Sequence, residues 1–98
     1  MLLVTARITT TPGAADTLLP AAKEMVEATR QEDGCLSYEL LASTEAPDTY
    51  LMLETWRDRA ALDAHMAAPA MAAFGAAAGA HLTGVDITLH EVSSSGPM

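Results

Sequence analysis

The sequence predicts an α+β domain, a four-stranded antiparallel sheet with helices on one face, in the order β-α-β-β-α-β. Three observations carry this. Four short segments alternate between two faces with period two, and the stretches between them repeat apolar residues at helical spacing. Turn residues (Pro12-Gly13, Gly34, Pro47-Asp48, Pro69) fall at the joints. Ninety-eight residues, half of them apolar and 18% charged, make one folding domain with a thin core.

The first ten residues read as a strand, with Leu2, Val4, Ala6 and Ile8 against Leu3, Thr5, Arg7 and Thr9. Thr11-Pro12-Gly13 ends it. A helix follows from about Ala14 to Gln31, its inner stripe Leu18, Ala22, Met25, Val26 and Thr29. Pro20 is tolerable if Asp16 is the N-cap, and kinks the helix if it starts at Ala14. Gly34 is placed as its C-cap. Cys35 to Leu41 forms the second strand, with Leu36, Tyr38 and Leu40 on one face. After a loop from Ala42 to Thr49, the third runs from Tyr50 to about Arg57, with Tyr50, Met52, Glu54 and Trp56 together.

Asp58 is a good N-cap for a short helix carrying Leu62, His65 and Met66. Pro69 breaks it and opens another as an N1 residue, extending to about Ala80 with Met71, Phe74 and Ala78 on one side. Thr83 to Val92 is the last strand, Val85, Ile87 and Leu89 alternating with Asp86, Thr88 and His90. Residues 1–92 thus form a single domain of the ferredoxin-like arrangement, and 93–98 a flexible tail. The sheet face away from the helices, with Leu3, Leu51, Leu53 and alternating residues of the last strand, would be covered by a second copy. A homodimer built sheet against sheet is expected.

Charge and composition exclude several classes of function. Five Lys and Arg against thirteen Asp and Glu leave a net charge of −8, and the one close basic pair, Arg57 and Arg59, encloses Asp58. Nucleic acid and anionic membranes are poor partners for such a chain. A single cysteine, Cys35, forms neither an internal disulfide nor a Cys-based zinc site. The uncharged stretch from Ala64 to Val85 is mostly Ala and Gly, with two histidines and Pro69, so it does not read as a membrane span. No secretory signal is legible at the start, and a cytoplasmic location is expected.

Phosphate-loop, dinucleotide, zinc-protease and serine-nucleophile signatures are absent. His65, His81 and His90 fall on different elements, without chelating spacing, so neither a metal nor a cofactor site is expected. What remains is Glu54 and Trp56 on one strand face with His65 on the next helix. A carboxylate, a broad aromatic wall and a group titrating near neutrality are what binding and deprotonating a planar phenol require.

Each residue also has a structural reading. Trp56 would serve a core, His65 a helix surface, and Glu54 a buried pair with Arg7. Tyr38 and Tyr50 would line a pocket or pack on their strands. Cys35 reads as a small buried hydrophobe, His81 as a helix C-terminal cation, and His90 as a surface or interface residue.

The chain resembles the antibiotic biosynthesis monooxygenase (ABM) domain, the small quinol-monooxygenase-like proteins, from Leu2 to about Leu89. The resemblance rests on Pro12-Gly13, on Glu32-Asp33-Gly34-Cys35-Leu36-Ser37-Tyr38-Glu39, and on Glu54-Thr55-Trp56. It rests also on Ala60-Ala61-Leu62-Asp63-Ala64-His65-Met66 and on Pro69 with Phe74. It implies a dimeric α+β barrel and a cofactor-independent monooxygenase that oxidises a phenol, anthrone or quinol with O₂ to a quinone. It further implies His65 as base or proton shuttle, Trp56 as pocket wall or orienting donor, and Glu54 as an orienting group. Met71 and Phe74 would line the opposite side.

The chain departs from many relatives in reading Pro69-Ala70-Met71 where they place a histidine after the proline. The strand Asn of haem-degrading relatives is replaced by Arg7. Two alternatives stand beside the oxygenase: an isomerase of a small metabolite on the same fold, and a non-catalytic dimeric module that binds an aromatic ligand.

Overall fold

Strict alternation in β1 (Leu2–Thr10) buries Leu2, Val4, Ala6, Ile8 and Thr10 and leaves the residues between them more open. The same period in β3 (Thr49–Trp56) buries Tyr50, Met52, Glu54 and Trp56. In the computed structural model, which describes Met1–Met98, these are the central strands of a sheet ordered β2-β3-β1-β4, antiparallel throughout. β2 (Cys35–Ala42) and β4 (Leu82–Glu91) are its edges. Helices α1 (Ala15–Thr29), α2 (Arg59–Met66) and α3 (Pro69–Ala78), with a 3₁₀ turn over Gly79–His81, complete the ferredoxin-like α+β fold. No helix is long and apolar enough to cross a membrane.

Local chemistry explains most boundaries. Asp58 caps α2 by accepting the Ala61 N–H at 2.9 Å, and Pro69 is the N1 residue of α3. Gly34 adopts φ +82°, a left-handed conformation that turns the chain into β2. Its carbonyl accepts the Arg57 N–H at 2.8 Å, tying that turn to the end of β3.

Several expectations need correction. Asp16 does not cap α1; the N-cap is Ala14, without a side-chain hydrogen bond, and Pro20 lies inside the helix. Pro20 is exposed, so water can satisfy the carbonyl deprived of its donor. The helix ends at Thr29, and residues 30–33 turn further before Gly34 is reached. In β2 the register slips between Cys35 and Ser37, so Leu36 projects into solvent instead of sharing a face with Tyr38 and Leu40.

The last strand alternates between the two faces as its pattern predicts, and the register decides which set faces which way. Its register sets Leu89 beside Val4, Ile87 beside Ala6 and Val85 beside Ile8, on the helix side of the sheet. The open face receives Asp86, Thr88 and His90, the alternating residues expected there, with Leu3, Leu51 and Leu53 from the central strands.

Candidate active site

Three elements bring the site together. β3 raises Glu54 from the sheet, β2 places Tyr38 directly beside it, and α2 lowers His65 over both. The cap at Asp58 sets the phase of α2, so that Ala61, Leu62 and His65 face inward at i, i+1 and i+4. His65 is 2% exposed, its ring 4.7 Å from that of Trp56 and 5.2 Å from that of Tyr38, centroid to centroid. Two aromatic neighbours therefore fix its orientation.

His65 Nδ1 lies 2.8 Å from Glu32 Oε1. A carboxylate only accepts, so Nδ1 is the donor in this contact. Glu32 reaches His65 from the turn after α1, where the Glu32 N–H donates to the Thr29 carbonyl at 3.0 Å. The contact spans 33 residues, and no local sequence signal pairs the two. Glu32 is the site residue that sequence reasoning missed; its only trace was membership of the Glu32–Glu39 segment.

Glu54 is 5% exposed, and its Oε1 accepts the Trp56 indole N–H at 2.9 Å. Arg7, the expected partner, is exposed on the opposite face of the sheet. Burial raises the Glu54 carboxyl above the ordinary carboxylate range, against the opposing pull of the Trp56 hydrogen bond and nearby His65. Burial, with Glu54 and Glu32 nearby, drives the Tyr38 phenol far above its usual range and keeps it protonated. Burial likewise pushes the Cys35 thiol up, as expected of a small hydrophobe and not of a nucleophile.

Tyr38, Glu54 and His65 border a cavity of about 400 Å³ between the sheet and the α2–α3 elbow. Its floor is Val4, Ala6, Ile8 and Met52; Leu62, Met71 and Phe74 stand opposite, and Val85, Ile87 and Leu89 form one side. Tyr38, Glu54 and His65 line it, together with an exposed Arg59–Asp63 pair at 3.0 Å on α2. Trp56 does not line it: fully buried, it stands behind Glu54 and His65. Tyr50 lies outside it too. Strand alternation sets its face, but not which part of that face the helices leave uncovered.

Fold and cavity together define a class: a small α+β domain enclosing an apolar chamber with an imidazole and a carboxyl among its walls. The chain belongs to the antibiotic biosynthesis monooxygenase (ABM) family, whose model matches residues 1–77. It is 38% identical over 80 residues to the Mycobacterium tuberculosis protein named "Putative monooxygenase Rv0793", covering 82% of this chain and 78% of that one. The structure of Rv0793 superposes with a TM-score of 0.88, at 32% identity over 98% of both chains. A crystal structure described as an antibiotic biosynthesis monooxygenase gives 0.89, at 36% identity over 96% of this chain and all of that one. Protein sll1783 of Synechocystis is 31% identical over 68 residues, which are 69% of this chain. The match covers only 46% of that longer protein.

Proposed function

We propose that the protein is a cofactor-independent monooxygenase that oxidises a small phenolic, anthrone or quinol substrate with O₂ to a quinone. The observation that carries this is an apolar cavity meeting an imidazole whose outer nitrogen is held by Glu32 and whose inner nitrogen is left without a partner. Family membership and the monooxygenase names of its relatives support the reaction class.

In this reading His65 Nε2 takes the phenolic proton, and Glu32 stabilises the imidazolium that forms. The electron-rich anion passes one electron to O₂, and the two radicals recombine as a carbon-bound peroxide. Loss of the remaining ring hydrogen with cleavage of the O–O bond expels hydroxide, which His65 reprotonates to water. One substrate and one O₂ give one quinone and one water. Glu54, steadied by the Trp56 N–H, orients the substrate, and the protonated Tyr38 borders the reacting end. Phe74 and Met71 hold the ring from the helix side. The second copy belongs on the open sheet face, where Leu3, Leu51 and Leu53 are only half-buried.

The test is oxygen uptake by chelator-treated protein with a panel of anthrones, naphthols and hydroquinones, beside protein-free controls. Uptake should match quinone formation and fall about 10²–10⁴-fold in His65→Ala, the usual share of general-base catalysis. Uptake equal to autoxidation across the panel would refute the oxygenase and favour the isomerase or the binding module.

A further inference from the structure

The sheet pairs Tyr38, Glu54, Val4 and Leu89 in one row across its strands, and Leu40, Met52, Ala6 and Ile87 in the next. Glu54 thus stands two strand spacings from Leu89, roughly 10 Å away. Between them β1 supplies only Val4 and Ala6, so the floor dips where a methyl group replaces a larger side chain. Gly75 of α3 also lines the cavity, and a Cβ there would find nothing within 4 Å. A trough therefore runs from Glu54 to the β4 edge.

That edge is unusual. Val85, Ile87 and Leu89 line the cavity, yet they are 46%, 59% and 39% exposed. They present roughly 13 Å of aliphatic surface along one face of the strand. They project from the helix side of the sheet, so the open face on which a second copy is expected does not itself cover them. The chain's own end, Ser93-Ser94-Ser95-Gly96-Pro97-Met98, is too polar to do so. A single ring with its hydroxyl at Glu54 ends over Val4 and Ala6, short of this strip. Glu54 itself is nine-tenths buried and keeps Oε2 without a protein partner.

We propose that the trough is a specificity site for amphipathic phenols or quinols. The hydroxyl end meets Glu54 and His65, and an aliphatic chain crosses Val4 and Ala6 to lie along Leu89, Ile87 and Val85. This rests on the phenol-binding reading of the cavity and adds what that reading leaves open, the nature of the substituent.

The test titrates para-cresol, para-butylphenol and para-hexylphenol into the protein and reads the fluorescence of Trp56, the sole tryptophan, which packs on His65. Complete burial of a methylene is worth roughly a fourfold gain in affinity, and a one-sided strip about half of that free energy. Kd should therefore fall about twofold per methylene through about six carbons. Ile87→Ser and Leu89→Ser should flatten that dependence, compared as a slope within each protein so that differences in ring affinity cancel.

Equal Kd across the series in the unaltered protein would overturn the proposal, as would an unchanged slope in both variants. Dissociation of a dimer by Ile87→Ser in sedimentation would also overturn it, making the strip an interface between copies. Oxygen uptake run in parallel separates the two readings. A chain-length slope without uptake refutes the oxygenase and leaves the specificity site; uptake without a slope refutes the specificity site alone.

Discussion

Replacing Gly34 by alanine should damage both the fold and the site. Gly34 holds φ +82°, and a Cβ built there would overlap the Cβ of Ala61 on α2. An L-residue in the left-handed region costs about 1–2 kcal/mol. The overlap adds about 1–3 kcal/mol, because neither Cβ can rotate away and α2 must move. A total of about 2–5 kcal/mol is a large share of the roughly 5–15 kcal/mol that stabilises a domain. At about 4–8 °C per kcal/mol for a chain of this length, Tm should fall by at least about 8 °C in a circular-dichroism melt. Ala61 is one turn before His65, so displacement of α2 also loosens the 2.8 Å contact to Glu32. The double variant Gly34→Ala/Ala61→Gly removes the overlap but keeps the backbone strain, and adds about 0.5–1 kcal/mol for a helical glycine. It should melt between Gly34→Ala and the unaltered protein. A loss below about 4 °C in the single variant, or no recovery in the double, would refute the reasoning.

Three further outcomes are expected. Glu32→Gln can donate its amide N–H to Nδ1 and thereby move the imidazole proton to Nε2. Turnover should fall about 10²-fold with substrate affinity, read by Trp56 fluorescence, nearly unchanged; full turnover would sink the assignment of His65 as base. The raised Glu54 carboxyl means that the folded chain binds a proton more tightly than the unfolded one. Its contribution to stability is complete below the unfolded pKa and is lost as pH rises through the folded value. Glu54→Gln, which keeps an oxygen for the Trp56 N–H, should gain in Tm over the unaltered protein as pH rises above the ordinary carboxylate range; a constant difference contradicts this. Thr29→Val removes a buried hydroxyl with no hydrogen-bond partner and should raise stability by about 1 kcal/mol in urea melts, whereas a loss would mean that the hydroxyl is satisfied.

Element order and most faces were legible because they depend on neighbours in sequence. Period two in β1 and β3 placed Val4, Ala6, Met52 and Glu54 on the buried side. Asp58 and Pro69 marked helix starts by the chemistry of unpaired amides. The start of α1 reads at about Ala14, where the structure places the N-cap; Asp16, the alternative cap by residue type, lies inside the first turn. Arg7 was offered to Glu54 on charge alone; the β1–β3 register sends it to the other face, and the nearer donor is Trp56, two residues along the same strand.

The sequence by itself determined an α+β chain with an apolar sheet face, an acidic surface, and a histidine, a carboxylate and a tryptophan within twelve residues of one another. Periodicity, capping and charge are local properties, and a single chain displays them directly. Only the tertiary structure decided that His65 is buried between Tyr38 and Trp56 and held by Glu32, and that Trp56 backs the cavity while Tyr50 lies outside it. It alone turned Val85, Ile87 and Leu89 toward the cavity and left them open to solvent. These outcomes depend on strand register and on where α2 and α3 stop covering the sheet. Both are set by contacts between residues dozens of positions apart, and periodicity along the chain carries no record of them.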